Sequence, residues 1–173
     1  MTSLSIVLAA CLFWRGSPET GEPQRVSLPG FNVIGLSTRT TNKDEMSGNS
    51  KIGPLWASFA RDGNRIQDVA DPDVTFSIYT NYETDENGPY DVILGKEVHG
   101  LRHVPKGMRG IRIPTADYLV FPVADPSPQA IGAAWRAVYA YFAEHKELPR
   151  IYGIDFERHS KDRVEIYVSA RQP

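Results

Sequence analysis

The 173-residue chain is short of several things at once, and each shortage removes a class of function. Its one cysteine, Cys11, rules out an internal disulfide framework and a cysteine-rich metal site. The four histidines (His99, His103, His145 and His159) are scattered without the paired spacing of a zinc site, so neither a metal nor a cofactor is expected. There is no basic excess: 19 Lys and Arg stand against 21 Asp and Glu, a net charge of −2. Direct nucleic-acid binding, which needs a basic patch, is not expected. The longest apolar run, Ser5 to Phe13, is far too short to span a bilayer. No G-x-S-x-G elbow, Walker A loop or H-E-x-x-H pair is present, so no catalytic set is assigned and enzymatic activity is left open.

Leu8-Ala9-Ala10-Cys11 is similar to a lipoprotein lipobox, but no Lys or Arg precedes it and the segment before it is short for a signal peptide. Gly16 to Pro23 is rich in Gly, Pro and acidic residues and reads as a linker. The division is therefore an N-terminal extension and linker over residues 1–23 and one domain over 24–173, with a cytoplasmic location expected.

Within the domain, Arg25 to Leu28 and Asn32 to Thr41 read as strands, and Thr41 to Asn49 as a polar loop. Ile52, Leu55, Trp56 and Phe59 recur at helical spacing, which predicts a helix over Ser50 to Arg61 with Pro54 in its first turn. Val74 to Glu83 and Tyr90 to His99 alternate as a hairpin around the turn residues Asp85 to Pro89. Met108 to Pro114 and Asp117 to Val123 are again strand-like. Ser127 can cap a second helix with Pro128 at its first position and a stripe of Ile131, Trp135, Val138 and Phe142. Arg150 to Arg158 and Arg163 to Ala170 form a closing hairpin through His159 to Asp162.

The two halves repeat the order strand, helix, strand, strand. Ile52-Gly53-x-x-Trp56 recurs as Ile131-Gly132-x-x-Trp135, Ile78-Tyr79 as Ile151-Tyr152, and Tyr82-Glu83 as Phe156-Glu157. The fold class that follows is α+β: two pseudo-symmetric β-α-β-β repeats forming one antiparallel sheet, both main helices on one face. A ligand cleft then lies between the halves or on the sheet face away from the helices.

Alternation places Gly153, Asp155 and Glu157 on one side of their strand and Tyr152, Ile154 and Phe156 on the other, the apolar side being expected to meet a helix. Glu165 and Tyr167 oppose Ile166 and Val168, and the earlier hairpin offers Tyr79, Asn81 and Glu83 on one face. A carboxylate among aromatic faces suits a hydrophobic cation, through charge and through cation–π attraction. The plainer alternative is a solvated sheet face whose acids pair with Arg158, Arg163 or Arg112. For Trp56 and Trp135 the plainer alternative is core packing; otherwise either ring walls a pocket and its indole N–H needs a partner.

The run Phe31 to Asn42, together with Leu55-Trp56-x-x-Phe59, Ile78 to Glu83, Tyr90 to Gly95, Ile113-Pro114, Tyr118 to Phe121, Asp155 to Glu157 and Glu165 to Val168, resembles the gyrase-inhibitor-like effector-binding domains of AraC-type and MerR-type regulators. The stand-alone integron-associated effector-binding proteins are the subgroup it resembles most. The resemblance spans Gln24 to Ala170. It implies the duplicated fold, a cleft between the halves and binding of amphipathic, often cationic, drug-like compounds. It also implies that Glu157 is the ligand glutamate, that Trp56 is the helix tryptophan and that Asp117 stands at an acidic position of some relatives.

The expected ligand-binding residues are thus Glu157, Trp56, Tyr79, Asn81, Asp117, Tyr139 and Glu165. The leading function is an effector sensor or sequestering module for a small hydrophobic or cationic organic ligand. Relatives that hydrolyse cyclopropane-bearing compounds supply a second reading, with Glu157 orienting water and Tyr139 donating a proton. Protein–protein inhibition of DNA gyrase supplies a third, and requires an exposed acidic or apolar patch. Exposed hairpin edges leave room for a homodimer, and a separate transcription regulator is a conceivable partner.

Overall fold

A computed structural model describes residues 23–170; the lipobox-like run, most of the linker and Arg171 to Pro173 lie outside them. The strands are β1 (Gln24–Leu28), β2 (Phe31–Thr40), β3 (Thr75–Thr80), β4 (Tyr90–Val98), β5 (Arg109–Ile113), β6 (Ala116–Pro122), β7 (Asp155–Ser160) and β8 (Arg163–Ser169). The helices are α1 (Asn42–Glu45), α2 (Ile52–Asp62) and α3 (Pro128–Glu144). All eight strands join one antiparallel sheet in the order β1-β6-β8-β7-β3-β4-β2-β5.

The duplication is visible in that order. Reading outward from the β3–β7 seam, one side runs β3-β4-β2 and the other β7-β8-β6. Each is a strand-helix-strand-strand unit whose first strand ends up third from the seam. β5 and β1 then complete the two edges. At residue level one part of the sequence match is out of step. Ile78-Tyr79 lie inside β3, whereas Ile151-Tyr152 precede β7, and Tyr82-Glu83 lie beyond β3 while Phe156-Glu157 lie inside β7.

The sheet curls, and the curl decides what its two faces do. Phe31 in β2 and Phe156 in β7 are three strands apart, about 14 Å on a flat sheet. Their rings nevertheless stand 5.7 Å centre to centre. The helix-free face therefore closes on itself as an aromatic core of Phe76, Tyr118, Phe156 and Tyr167, with Phe156 stacked on Tyr167 at 4.5 Å. This corrects two expectations. That face is filled by the protein's own side chains and offers no ligand surface, and Phe156 packs there rather than on a helix. The period-two pattern along β7 holds, but the carboxylate side is the one that looks towards the helices.

On the other face α2 sets Leu55 and Phe59 onto Ile34, Val92 and Leu94, and α3 sets Val138 among Val164, Ile166 and Val168. Ser127 caps α3 as its sequence predicts, its Oγ accepting the Ala130 N–H at 3.2 Å with Pro128 in the first turn. The polar loop expected over Thr41 to Asn49 contains the one-turn α1, capped by Thr41. Four polar residues have no apolar period to reveal them. β7 begins later than expected because Tyr152 adopts φ 53°, in the left-handed region, and so cannot continue a strand.

Gly35 and Gly95 face each other across β2 and β4. A Cβ on Gly35 would stand 2.1 Å from the Leu94 carbonyl oxygen, and one on Gly95 2.3 Å from that of Ile34. Backbone cannot yield as a side chain can. Gly35→Ala is expected to destabilise the fold by about 2–3 kcal/mol, read as a lower urea midpoint at unchanged m-value.

Candidate functional site

A cavity of about 960 Å³ opens between α2 and α3, with β3 and β7 as its floor. The repeated sequence motif supplies its opposing walls: Ile52, Gly53 and Trp56 from α2 face in from one half, and Ile131, Gly132 and Trp135 from α3 from the other. The glycines leave space where any side chain would narrow the opening.

Glu157 lies at the floor, opposite Ser77 across the seam, with only 3% of its surface exposed. Its Oε1 accepts the Tyr79 hydroxyl at 2.7 Å and the Trp135 indole N–H at 2.7 Å. Its Oε2 lies 2.8 Å from His159 Nε2, which must carry the hydrogen if the carboxylate is ionised, since a carboxylate only accepts. No lysine or arginine pairs with it among the described contacts. Two neutral donors and one imidazole satisfy the hydrogen bonding of the carboxyl group. Burial first, and then the charge of Glu157, push the Tyr79 phenol well above its ordinary range, so it remains a donor.

Aromatic rings enclose the carboxylate. Trp56 meets His159 edge-on at 5.0 Å, Trp135 meets Tyr79 at 5.2 Å, and Tyr139 lies 6.0 Å from Trp135. The belt continues through Tyr90 to Tyr82. Short α1 is tied into it: Asn42 donates to the Tyr139 oxygen at 3.2 Å and accepts from the Tyr90 hydroxyl at 2.7 Å.

A second polar group lies two residues before Glu157 on the same side of β7. Asp155, with no exposed surface, accepts from Arg150 at 2.7 Å, from the Tyr82 hydroxyl at 3.0 Å, and from the Ser169 N–H and hydroxyl at 2.8 Å each. Arg150 and Glu86 reach the cavity surface beside it.

Of the seven residues expected at the site, the structure brings Glu157, Trp56, Tyr79 and Tyr139 to one cavity. It places three elsewhere. Asn81 is exposed beyond β3 and donates to Asp91 at 2.8 Å, on the surface with Arg39. Asp117 sits in β6 and accepts from Ser27 of the edge strand β1. Glu165 faces the opposite side of the sheet from Glu157, bonded by Arg163 and by the Tyr167 hydroxyl at 3.2 Å. Alternation relates residues within a strand but does not say which side of the sheet a neighbouring strand's acids take, which misplaces Glu165. Asn81 leaves the alternation because β3 ends at Thr80 and Asn81 turns to φ 51°. Asp117 rested on the resemblance alone. The pairing with Arg163 is the plainer alternative realised for Glu165, and Asp155 finds Arg150 instead of the three arginines anticipated.

Sequence reading passed over His159 as a turn residue. The usable signal was its position two residues after Glu157, hence on the same side of β7. Trp135 carried its own clue, an indole N–H on an apolar stripe. Glu45, Glu86, Asn42 and Arg150 carried none, because loops and the single turn α1 bring them in.

Glu45 anchors the rim. It accepts the Lys51 and Ile52 N–H groups at the start of α2, at 2.9 and 3.2 Å, together with the hydroxyls of Thr40 and Ser50. Burial pushes its carboxyl up, but the bonds from Thr40, Lys51, Ser50 and Ile52 outweigh this and hold it below 4.5. A lowered native value means that the stabilisation is present above the unfolded value and is lost as pH falls through the native one. Glu45→Gln is expected to flatten the acid limb of stability below about pH 4.5, followed as melting temperature against pH.

Comparison with known proteins places this arrangement. The profile of a family described as integron-associated effector-binding protein matches residues 26–169. The chain belongs to that family. An integron cassette protein from the mobile metagenome of Vibrio cholerae has the same fold as this effector-binding protein, with TM-score 0.74, 30% identity and coverage of 87% of this chain and 96% of that one. SAV2435, solved bound to tetraphenylphosphonium, superposes with TM-score 0.71 at 17% identity over 87% and 94%, a likeness of fold. The transcriptional regulator BrlR of Pseudomonas aeruginosa is 27% identical over 157 residues, 91% of this chain and 54% of BrlR, so the chain spans about half that relative's length. The putative transcriptional regulator YobU of Bacillus subtilis is 26% identical over 148 residues, 80% and 91% respectively. No helix among the described residues is long and apolar enough to cross a membrane.

Proposed function

We propose that this effector-binding protein takes a hydrophobic organic cation into the cavity between α2 and α3, with Glu157 as counter-charge and the rings of Trp56, Trp135, Tyr79 and Tyr139 as walls. The observation that carries the reading is the state of Glu157: a buried carboxylate, hydrogen-bonded by Tyr79, Trp135 and His159, at the floor of an aromatic cavity of ligand size. A cation there gains the charge and the ring faces together. That SAV2435, of like fold, was solved with tetraphenylphosphonium is in keeping with it. In this reading the chain is a cytoplasmic sensor or sequestering module. Relay through a separate regulator, and pairing as a homodimer, belong to the same proposal; the regulator names of BrlR and YobU support the first.

Two probes of one shape and opposite charge test it. Titrated calorimetrically, tetraphenylphosphonium is expected to bind, and tetraphenylborate to bind about tenfold more weakly or not at all. Equal affinity for the two ions would remove the charge role of Glu157 and leave only an apolar hole.

A further inference from the structure

Glu157 shares the cavity floor with a partner that can itself take up a proton. His159 lies two residues further along β7, lines the same cavity and sets its Nε2 2.8 Å from Glu157 Oε2. Its side chain is 15% exposed while that of Glu157 is covered, so water reaches the ring. With Nε2 donating to Oε2, the other ring nitrogen, Nδ1, is where a further proton adds. Histidine is the side chain that ordinarily gains or loses its charge between about pH 5 and 8.

The surroundings leave that proton one charge to answer to. Among the described residues, the ion-pair partner of His159 is Glu157. Along β7, Asp155 on the same side is bonded to Arg150, and Arg158 alternates to the opposite side. Lys161 and Asp162 lie in the exposed turn beyond the strand. From β3 come Thr75, directly across the seam, and Tyr79, whose phenol stays protonated. From β8 comes Val164, and from α2 the ring of Trp56. Arg61 of α2 turns back onto Ala57 and Ser58. At the cavity rim Glu45 holds the start of α2, Glu86 is bonded by Tyr152, and Arg136 is exposed.

Counting charge on this floor shows what can coexist. With the imidazole neutral and the carboxylate ionised, the floor carries one negative charge. Either a proton on His159 or an organic cation in the cavity cancels it. Both together leave one positive charge in excess among aromatic rings and two cations sharing a single carboxylate, and an uncompensated charge away from water is what a protein interior resists. Proton and cation therefore compete, although they occupy different places.

We propose that His159 is the specificity-determining partner of Glu157 and that the cavity is an ion-exchange site, in which an organic cation enters as a proton leaves the imidazole. This rests on the cation reading above and specifies how that same site is regulated. The chain then holds its cation at neutral and alkaline pH and gives it up on acidification.

Tetraphenylphosphonium tests this, because the probe neither gains nor loses a proton. Its affinity is expected to fall at least about fivefold between about pH 8 and pH 5.5; one proton exchanged per cation sets a limit of about tenfold per pH unit. His159→Gln keeps an N–H for Oε2 but has no nitrogen that titrates, so its affinity should change by less than about twofold over the same range. The wild-type chain supplies a readout that needs no substitution: the imidazole signals of His159, followed by NMR at several pH values in that range, should move towards the neutral form as the probe is added. A pH dependence that His159→Gln retains puts the titrating group elsewhere, Glu157 itself included, and overturns the exchange. So does a wild-type affinity that is flat across the range, or imidazole signals that the bound probe leaves unmoved. In those cases tetraphenylphosphonium still binds in preference to tetraphenylborate, and the cation site stands. If tetraphenylphosphonium does not bind at any pH, the cation reading falls and the exchange falls with it.

Discussion

Asp155→Ala is expected to lower folding stability by about 3–5 kcal/mol, the cost of breaking a buried ion pair by removing one partner. The size follows from what would be left behind. Arg150 already lacks hydrogen-bond partners at two nitrogens, with Glu86 3.7 Å away as an ion pair, and Asp155 is its only hydrogen-bonded acceptor among the described residues. The Ser169 N–H and hydroxyl and the Tyr82 hydroxyl lose an acceptor at the same time. The tether between the segment before β7 and the end of β8 goes with them. Burial, the largest cause holding the Tyr82 phenol well above its ordinary range, is still present without Asp155, so Tyr82 stays a donor and does not compensate Arg150 as a phenolate. A shift of the urea midpoint equivalent to less than about 1 kcal/mol, at constant m-value, would show that solvent reaches this pair.

Glu157→Gln is expected to weaken binding of tetraphenylphosphonium by about 1–3 kcal/mol, roughly fivefold to 150-fold, the range of a lost charge-assisted contact. Glutamine keeps an oxygen for Tyr79 and Trp135, so the fold and the cavity walls should survive and the change should report charge alone. Tetraphenylborate serves as the control, and its affinity should hold or improve. Equal losses for both ions would mean that the substitution closes the cavity and that the carboxylate is not the counter-charge. The comparison separates electrostatics from packing because the two ions share one shape.

The helices illustrate what local chemistry can announce. Ser127 before Pro128, and the stripe of Ile131, Trp135, Val138 and Phe142, placed α3 to the residue at its start, because a cap and a first-turn proline satisfy backbone groups locally. The Ile-Gly-x-x-Trp repeat announced more than a helix: its two copies are the two walls of the cavity. Arg150, Glu86 and Asn42 show the limit. Each reaches the cavity from a loop or a single turn, where no period in the sequence marks direction.

By itself, the order of residues determined the duplicated strand-helix-strand-strand plan, the single antiparallel sheet and the two wall helices. These depend on periodicity, capping and repetition, which are short-range, whereas the pairing of Glu157 with Trp56 was implied by family resemblance alone. Only the tertiary structure decided which sheet face is core and which is cavity, that Glu165 and Asp117 lie away from Glu157, and that His159 and Trp135 hold its carboxylate. The physical reason is the curl of the sheet. It brings Phe31 onto Phe156 from three strands away and so fills one face with aromatic side chains, leaving the space beneath the helices as the place where a charge can be both buried and reached.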